Sequence, residues 1–354
     1  MPMKPKKTNP GNFFEDFKIG QALAHATPRT VTEGDIALYT ALYGGRFAAN
    51  SSAEFARNIG YKGLPVDDLL AFHIAFGKTV PDVSINAVAN LGYAEGVFGE
   101  PLYAGDTIKT RSEVIGLKEN SNGKTGVVYV RSTATNQHDR MVVDYKRWVM
   151  VNKRNPESPA PEANVPDLSP FVPGASISVP KGIELGGYDP VLAGSKHFWV
   201  DYEVGEKIDH VDGTTIEEAE HMMATRLYQN TAKVHFNQHL QAEGRFGKRL
   251  VYGGHVISIA RALSFNGLAN AFRVAAINAG THANPVFAGD TVYAWSEVLG
   301  RPEINGRTDI GAMRIRTVAT KNRPCSDFPY KDADGKYLPE VLLDFDYWVL
   351  MPRG

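Results

Sequence analysis

Hydrophobic positions follow the same order in two long stretches of the chain. In each stretch a segment that is apolar nearly all round, residues 67–76 and then 255–265, precedes alternating segments such as 127–135 and 313–320. The first pattern predicts a helix with no exposed face, and alternation predicts strands with one buried face. Each stretch therefore predicts one enclosed helix wrapped by an antiparallel sheet.

Short polar signals punctuate both stretches in matching places. An acid three residues after a threonine predicts the start of a helix, a glycine after an apolar run suits its end, and Asn-Gly favours a tight hairpin turn. The starts are Thr32 with Asp35 and Thr215 with Glu218, the ends are Gly77 and Gly267, and the turns are Asn122-Gly123 and Asn305-Gly306.

The two stretches are copies of one unit. Nine of the sixteen positions in 101–116 are identical in 285–300, whereas average residue frequencies would give about one. We predict an N-terminal unit at 13–151, a Pro-rich linker at 152–195 and a C-terminal unit at 196–352. Two copies with so long a period exclude a solenoid and indicate an internal pseudo-dimer.

Composition narrows the function classes. With 43% hydrophobic residues, 22% charged residues and a net charge of -1, nothing in the bulk charge favours nucleic acid or a membrane surface. The single cysteine, Cys325, excludes an internal disulfide and fits a reducing compartment, so we expect a cytoplasmic protein. The basic residues 1–8 are expected to form a disordered tail, because no apolar segment follows them. A homo-oligomer is compatible with this organisation.

The segment Pro285-Val-Phe-Ala-Gly-Asp-Thr291 resembles the strand-entry motif of MaoC-like, R-specific enoyl-CoA hydratases, and the whole repeat resembles the double-hotdog members of that family. The resemblance implies an α+β fold of two tandem hotdog units and a hydro-lyase acting on a coenzyme A thioester. It also implies no cofactor other than the coenzyme A of the substrate. In length and layout the chain is most similar to mesaconyl-CoA (2-methylfumaryl-CoA) hydratases, also called β-methylmalyl-CoA dehydratases.

The family's catalytic motif, Asp-x-Asn-Pro-x-His, is matched in part by the second copy. Here the stretch runs from Asn230 to His235, so the histidine is kept and an asparagine replaces the aspartate. The corresponding residues 45–50 of the first copy carry neither group, which predicts a single active site. Because hydration needs proton transfer, His235 is the expected acid and base, and Asn230 is expected to hold the water. Glu243 or His255 could replace the missing carboxylate.

The family holds the enolate oxygen with a backbone N–H at the start of the central helix, where the helix dipole also favours negative charge. The matching run here is Tyr252-Gly-Gly-His-Val256. Gly254 is the expected donor, and Gly253 makes room for it. The next residue, His255, is expected to contact the substrate.

A dicarboxylic substrate calls for a cation in the acyl pocket, preferably arginine. The candidates are Arg226, Lys248 and Arg249. By resemblance, the first copy shapes the tunnel for the coenzyme A arm. The residues expected along that tunnel are Gly60, Tyr61, Lys62, Gly63, Asn86 and Asn90.

Other functions stay open at this point. A hydratase for another enoyl-CoA would need an apolar pocket end, and a hotdog thioesterase or a non-catalytic acyl-CoA binding module would need no water addition. Although His235 and His239 have a metal-ligand spacing, Phe236 stands where a zinc protease has its glutamate and no third ligand is indicated, so we predict no metal site.

Overall fold

The computed structural model describes residues 7–354, so residues 1–6, most of the expected tail, lie outside the described residues. The first copy contains β1 (Ala22–Thr30), α1 (Glu33–Tyr43), α2 (Ala48–Ser51), α3 (Ala53–Asn58), α4 (Asp68–Thr79), β2 (Ala87–Phe98), β3 (Thr107–Glu119), β4 (Thr125–Thr135) and β5 (Met141–Asn152). The linker carries the short helix α5 (Pro190–Ala193). The second copy contains β6 (Lys207–Thr215), α6 (Glu218–Leu227), α7 (Gln238–Ala242), α8 (Gly253–Leu263), α9 (Phe265–Leu268), β7 (Arg273–His282), β8 (Thr291–Gly300), β9 (Ile310–Lys321) and β10 (Val341–Pro352).

One antiparallel sheet of ten strands runs through both copies, in the order β1-β3-β4-β5-β2-β7-β10-β9-β8-β6. The second half of this order repeats the first half in reverse, and β2 pairs with β7 where the copies meet. The central helices α4 and α8 pack on the strands of their own copies and share one hydrophobic core. The α+β double hotdog predicted from the sequence is confirmed.

The linker is held against the second copy. The backbone N–H of Val172 donates to Asn278 Oδ1 at 2.8 Å, and the indole N–H of Trp348 donates to the Val172 carbonyl at 2.9 Å. Val172 itself is buried in a second apolar cluster with Trp348. None of the helices in residues 7–354 is long and apolar enough to cross a membrane.

The expected turns and helix starts are mostly found. Both Asn-Gly pairs lie in hairpin connections, and Thr32 caps α1 in a reciprocal pair with Asp35. The start predicted at Thr215 is wrong, because Thr215 ends β6 and its hydroxyl bonds that of Thr291 at 2.7 Å. α6 instead begins after Glu217. A threonine that is paired in the sheet cannot also cap a helix.

Gly77 does not end α4, although it was expected to. The helix continues through it to Thr79. A Cβ atom at this position would lie 1.9 Å from the carbonyl oxygen of Tyr228 and 3.2 Å from the backbone nitrogen of Asn230. The glycine is therefore required for a close approach between α4 of the first copy and the chain of the second copy.

We predict that Gly77→Ala destabilises the protein by about 1–3 kcal/mol, because the added methyl group meets backbone that cannot rotate away. The measurement is denaturant unfolding of both variants at neutral pH. The control is Gly34→Ala in α1, where the new Cβ would meet only the Thr32 hydroxyl at 3.5 Å and stability should not fall. Equal stability of Gly77→Ala and the wild type would contradict this account of the helix contact.

Three of the buried histidines have hydrogen bonds only to neutral groups. His73 of α4 bonds Ser258 Oγ at 3.1 Å, His255 of α8 bonds Tyr43 Oη at 2.9 Å, and His210 of β6 bonds the Asn266 carbonyl at 2.7 Å. Burial lowers the pKa of His73 and of His255 to about 3 and that of His210 to about 4. All three are therefore neutral in the folded protein at physiological pH.

A folded-state pKa below the unfolded value of about 6.5 means that protonation favours unfolding. The contribution of these histidines is thus complete above about pH 6.5 and is lost as the pH falls toward 4. We predict that the free energy of unfolding falls by about 1.4 kcal/mol per pH unit for each of them in this window. Urea unfolding between pH 7.5 and 5 measures it, and a level profile would be inconsistent with buried neutral imidazoles.

Candidate active site

His235 is fixed by the loop that follows α6. Asn230 is buried, and its Oδ1 accepts a hydrogen bond from the Ala232 N–H at 2.9 Å, which turns the chain. A short 3₁₀ turn then ends at His235, whose Nδ1 lies 2.9 Å from the Leu250 carbonyl oxygen. Because a carbonyl can only accept, Nδ1 carries the proton and Nε2 is left as the basic nitrogen. Burial lowers the pKa of His235 to about 4, so this nitrogen is free to take a proton.

Gly253 and Gly254 form the first turn of α8, where the backbone N–H groups have no partner within the helix. A Cβ on Gly254 would lie 2.3 Å from the Tyr252 ring and 2.6 Å from the His73 ring. Only glycine therefore fits between these rings at the positive end of the helix dipole. Tyr252 also lies against His235, with 5.4 Å between their ring centroids, so the donor and the base flank the same ring.

His282 is a further imidazole at this site that sequence reasoning missed. A Cβ on Gly253 would lie within 2.3–2.6 Å of three atoms of the His282 ring, so the ring lies directly across this glycine. Its Nε2 is 3.4 Å from Tyr93 Oη of the first copy. Burial, and then the electrostatic influence of His235, lower the pKa of His282 to about 4. Comparison of the two copies could have revealed it. His282 ends β7 where the equivalent strand β2 ends with the apolar Phe98, so a polar residue replaces an apolar one.

The two copies differ at every one of these positions. Asp68 and Leu69 are the first residues of α4, whereas Gly253 and Gly254 are the first residues of α8. Asp68 Oδ1 lies 3.5 Å from the guanidinium of Arg273, and both side chains are largely buried. The first copy thus holds an ion pair where the second leaves open backbone N–H groups.

His255 and Glu243, the two alternatives for the missing carboxylate, lie in different surroundings. His255 is buried in α8 and bonded to Tyr43, whose hydroxyl is 2.6 Å from that of Tyr228. Glu243 is exposed at the end of α7 and forms no hydrogen bond with His235. The structure therefore does not bring Glu243 to the site, because α7 presents this residue to solvent.

The three candidate cations lie on the second copy, two of them at its surface. Arg226 is exposed on α6, and Lys248 is exposed with its ammonium 4.4 Å above the Phe287 ring. Arg249 is less exposed and pairs with Glu218, while its guanidinium also contacts Met222 Sδ at 3.2 Å. Arg226 and Lys248 thus face water, whereas the Arg249 side chain is largely buried, with 13% of its surface exposed.

The residues expected along the coenzyme A tunnel are found apart from His235. Gly60, Tyr61, Lys62 and Gly63 line an open cleft of about 1600 Å³ whose walls come only from residues 33–140 and 181–183. This cleft is bordered by the first copy and by the linker. Their expected role along the coenzyme A tunnel stays a prediction.

Asn86 and Asn90 have other partners. Asn86 Nδ2 donates to the carbonyls of Pro10 and Asn12 at 3.0 and 3.1 Å and so holds the N-terminal segment rather than a ligand. Asn90 Oδ1 accepts from the Arg147 guanidinium at 3.4 Å.

The chain is similar to known proteins along most of its length. The family model described as mesaconyl-CoA hydratase matches residues 4–326. The chain is 66% identical to the β-methylmalyl-CoA dehydratase of Chloroflexus aurantiacus, over 98% of this chain and 99% of the relative. It is 58% identical to the mesaconyl-CoA hydratase of Cereibacter sphaeroides, over 98% of this chain and 100% of the relative.

Two solved structures share the fold. A putative MaoC domain protein dehydratase from Chloroflexus aurantiacus superposes with a TM-score of 0.97 at 66% identity, covering 99% of this chain and 100% of that one. A double-hotdog protein of Mycobacterium tuberculosis gives a TM-score of 0.76 at 25% identity, covering 96% of this chain and 98% of that one. With a family model over most of its length and relatives above half identity, the chain belongs to the mesaconyl-CoA hydratase family.

Proposed function

We propose that the protein catalyses the reversible addition of water to mesaconyl-CoA to give β-methylmalyl-CoA. The names of the relatives support this substrate, and one observation of the site carries the reaction type. A neutral imidazole with a free Nε2, that of His235, lies beside a glycine turn that opens a helix. This pairing provides a base for water and donors for a developing enolate.

The reaction follows from these groups. His235 Nε2 removes a proton from water as the water oxygen bonds to Cβ, and the electrons of the double bond move toward the thioester carbonyl. The Gly254 N–H donates a hydrogen bond to the enolate oxygen that forms. A proton then reaches Cα from the His235 imidazolium, so that one water is added in total. Dehydration is the same path in reverse.

His282 takes the place of the family's carboxylate in this proposal. Asn230 Oδ1 is engaged by the Ala232 N–H, so this side chain mainly shapes the loop. The His282 ring lies across Gly253 and close enough to His235 to interact with it electrostatically, which suits a group that holds the attacking water. Its polar partner Tyr93 comes from the first copy.

The exposed cations on the segment that precedes Gly253 suit the phosphates of coenzyme A better than the acyl carboxylate, because the phosphates stay in water. Lys233, Arg245 and Lys248 are exposed on the segment that precedes Gly253. We propose that they border the nucleotide end of the thioester. Coenzyme A enters only as part of the substrate, and the proposed chemistry calls for no further cofactor. A cytoplasmic location agrees with the thioester substrate.

We predict that His235→Ala lowers turnover of mesaconyl-CoA by about 1000-fold or more, because the proton-transfer group is lost. The assay uses water enriched in heavy oxygen and follows the label into the new hydroxyl of β-methylmalyl-CoA. Thermal stabilisation by mesaconyl-CoA should survive in the variant.

Each other outcome of this assay would contradict a different part of the proposal. Wild-type rates in the variant would remove His235 from the mechanism. Label released in a free acid would show thioester hydrolysis. Stabilisation of the wild type by mesaconyl-CoA without any turnover would show a binding module.

We predict that His282→Phe lowers kcat by about 100-fold with little change in the affinity for mesaconyl-CoA. Phenylalanine is the residue of the first copy at this position and keeps a ring against Gly253, so only the polar function is removed. His239→Phe is the matched control, because His239 is exposed on α7 and should leave kcat unchanged. An unaltered kcat in His282→Phe would exclude a role in proton transfer or water binding.

A further inference from the structure

Arg147 is a fully buried guanidinium without an acidic partner. It lies on β5 with 0% of its surface exposed, and no carboxylate in residues 7–354 forms an ion pair with it. Its Nη2 donates to the hydroxyls of Thr79 and Ser84 at 2.8 and 3.3 Å, and its Nη1 lies 3.4 Å from Asn90 Oδ1. These acceptors are all neutral, and the Nε–H has none.

Enclosing a charge without a counter-ion is costly, and the fold does not require it. Arg147 is the seventh residue of β5, and the seventh residue of β10 in the other copy is Tyr347. That tyrosine is satisfied by the hydroxyl of Thr317 at 3.1 Å. A neutral ring thus fills the equivalent position of the same architecture, so the guanidinium serves the first copy in another way.

Three more buried polar groups near Arg147 lack partners. They are the hydroxyls of Tyr145 and Tyr252 and the side-chain N–H₂ of Asn90. Tyr145 lies two residues before Arg147 on the same face of β5, and Asn90 already contacts the guanidinium. With the Arg147 Nε–H, these donors form a set that one anion would satisfy.

This set borders the proposed active site. The guanidinium lies 4.2 Å above the Phe76 ring, which is 5.7 Å from the Tyr252 ring, and Tyr252 lies against His235. On the other side, Tyr93 pairs with Arg147 across the sheet and contacts His282. Arg147 therefore lies behind the two imidazoles, separated from them by aromatic rings.

We propose that Arg147 binds the free carboxylate of the dicarboxylic enoyl thioester and thereby selects it over neutral enoyl thioesters. The inference rests on the proposed function and names the cation that its acyl pocket requires. The carboxylate of mesaconyl-CoA is bonded to Cβ, so a carboxylate at Arg147 leaves Cβ within reach of His235 only when the intervening rings of Phe76 and Tyr252 move aside. The Tyr252 ring must turn to admit the carboxylate, and no hydrogen bond anchors its hydroxyl.

The test compares Arg147→Met with the wild type in two measurements, kcat/KM for mesaconyl-CoA and the dissociation constants of mesaconyl-CoA and of crotonyl-CoA, which has no free carboxylate. We expect kcat/KM and the affinity for mesaconyl-CoA each to fall by about 100-fold or more, because a buried charged hydrogen bond is lost. The affinity for crotonyl-CoA should be unchanged.

Two further variants make the result specific. Arg147→Lys keeps the charge without the paired donors and should give an intermediate loss. Arg131→Met is the matched control, since Arg131 is about half exposed, at 54%, and pairs with Asp144, so both affinities should stay as in the wild type. Arg147→Met should fold, because replacing a buried charge with an apolar side chain of similar length is often neutral or stabilising.

The outcomes separate this inference from the proposed function. Unchanged affinity for mesaconyl-CoA in Arg147→Met, or an equal loss for both thioesters, overturns the role of Arg147. Failure of the wild type to hydrate mesaconyl-CoA overturns the proposed reaction, while the two dissociation constants still decide whether Arg147 recognises the carboxylate. If Arg147→Met does not fold, the same two constants measured for Arg147→Lys decide it, and equal losses again overturn the role.

Discussion

The close approach of α4 to the chain of the second copy is the constraint on which the site depends. Gly77 lets the helix touch the backbone at Tyr228 and Asn230, just before the loop that carries His235. The pairing of β2 with β7 holds the two copies in this relation along a continuous sheet. The start of α8 is thereby enclosed by rings of the first copy, and a helix terminus becomes a shielded donor site.

The proposed function divides scaffold and chemistry between the two copies. Where the second copy opens its central helix with two glycines, the first copy has Asp68 and Leu69, and Asp68 pairs with Arg273. The start of α4 is in addition capped by Asp67, whose carboxylate accepts a hydrogen bond from the Leu69 N–H at 2.8 Å. The first copy instead lends side chains across the junction, among them Tyr93 at His282.

Burial also decides the electrostatics of the interior. Histidines enclosed by aromatic rings are held neutral, which makes them bases at physiological pH but a liability to stability in acid. Arg147 is the contrasting case, because a guanidinium stays charged even when desolvation lowers its pKa. A neutral base and an enclosed cation, separated by the rings of Phe76 and Tyr252, agree with the proposed substrate, which carries a negative charge close to the carbon that reacts.

The sequence by itself determined the duplication, the α+β class, the turn positions and the candidates His235 and Gly254, because periodicity, Asn-Gly turns and a repeated motif are local signals. It could not show that Gly77 continues the helix or that Gly60 to Gly63 line a cleft bordered by the first copy and by the linker. Nor could it single out His282 and Arg147 on their strands. Those residues gain meaning only from partners far away in the chain, and such contacts are decided by how two helices and a shared sheet pack together.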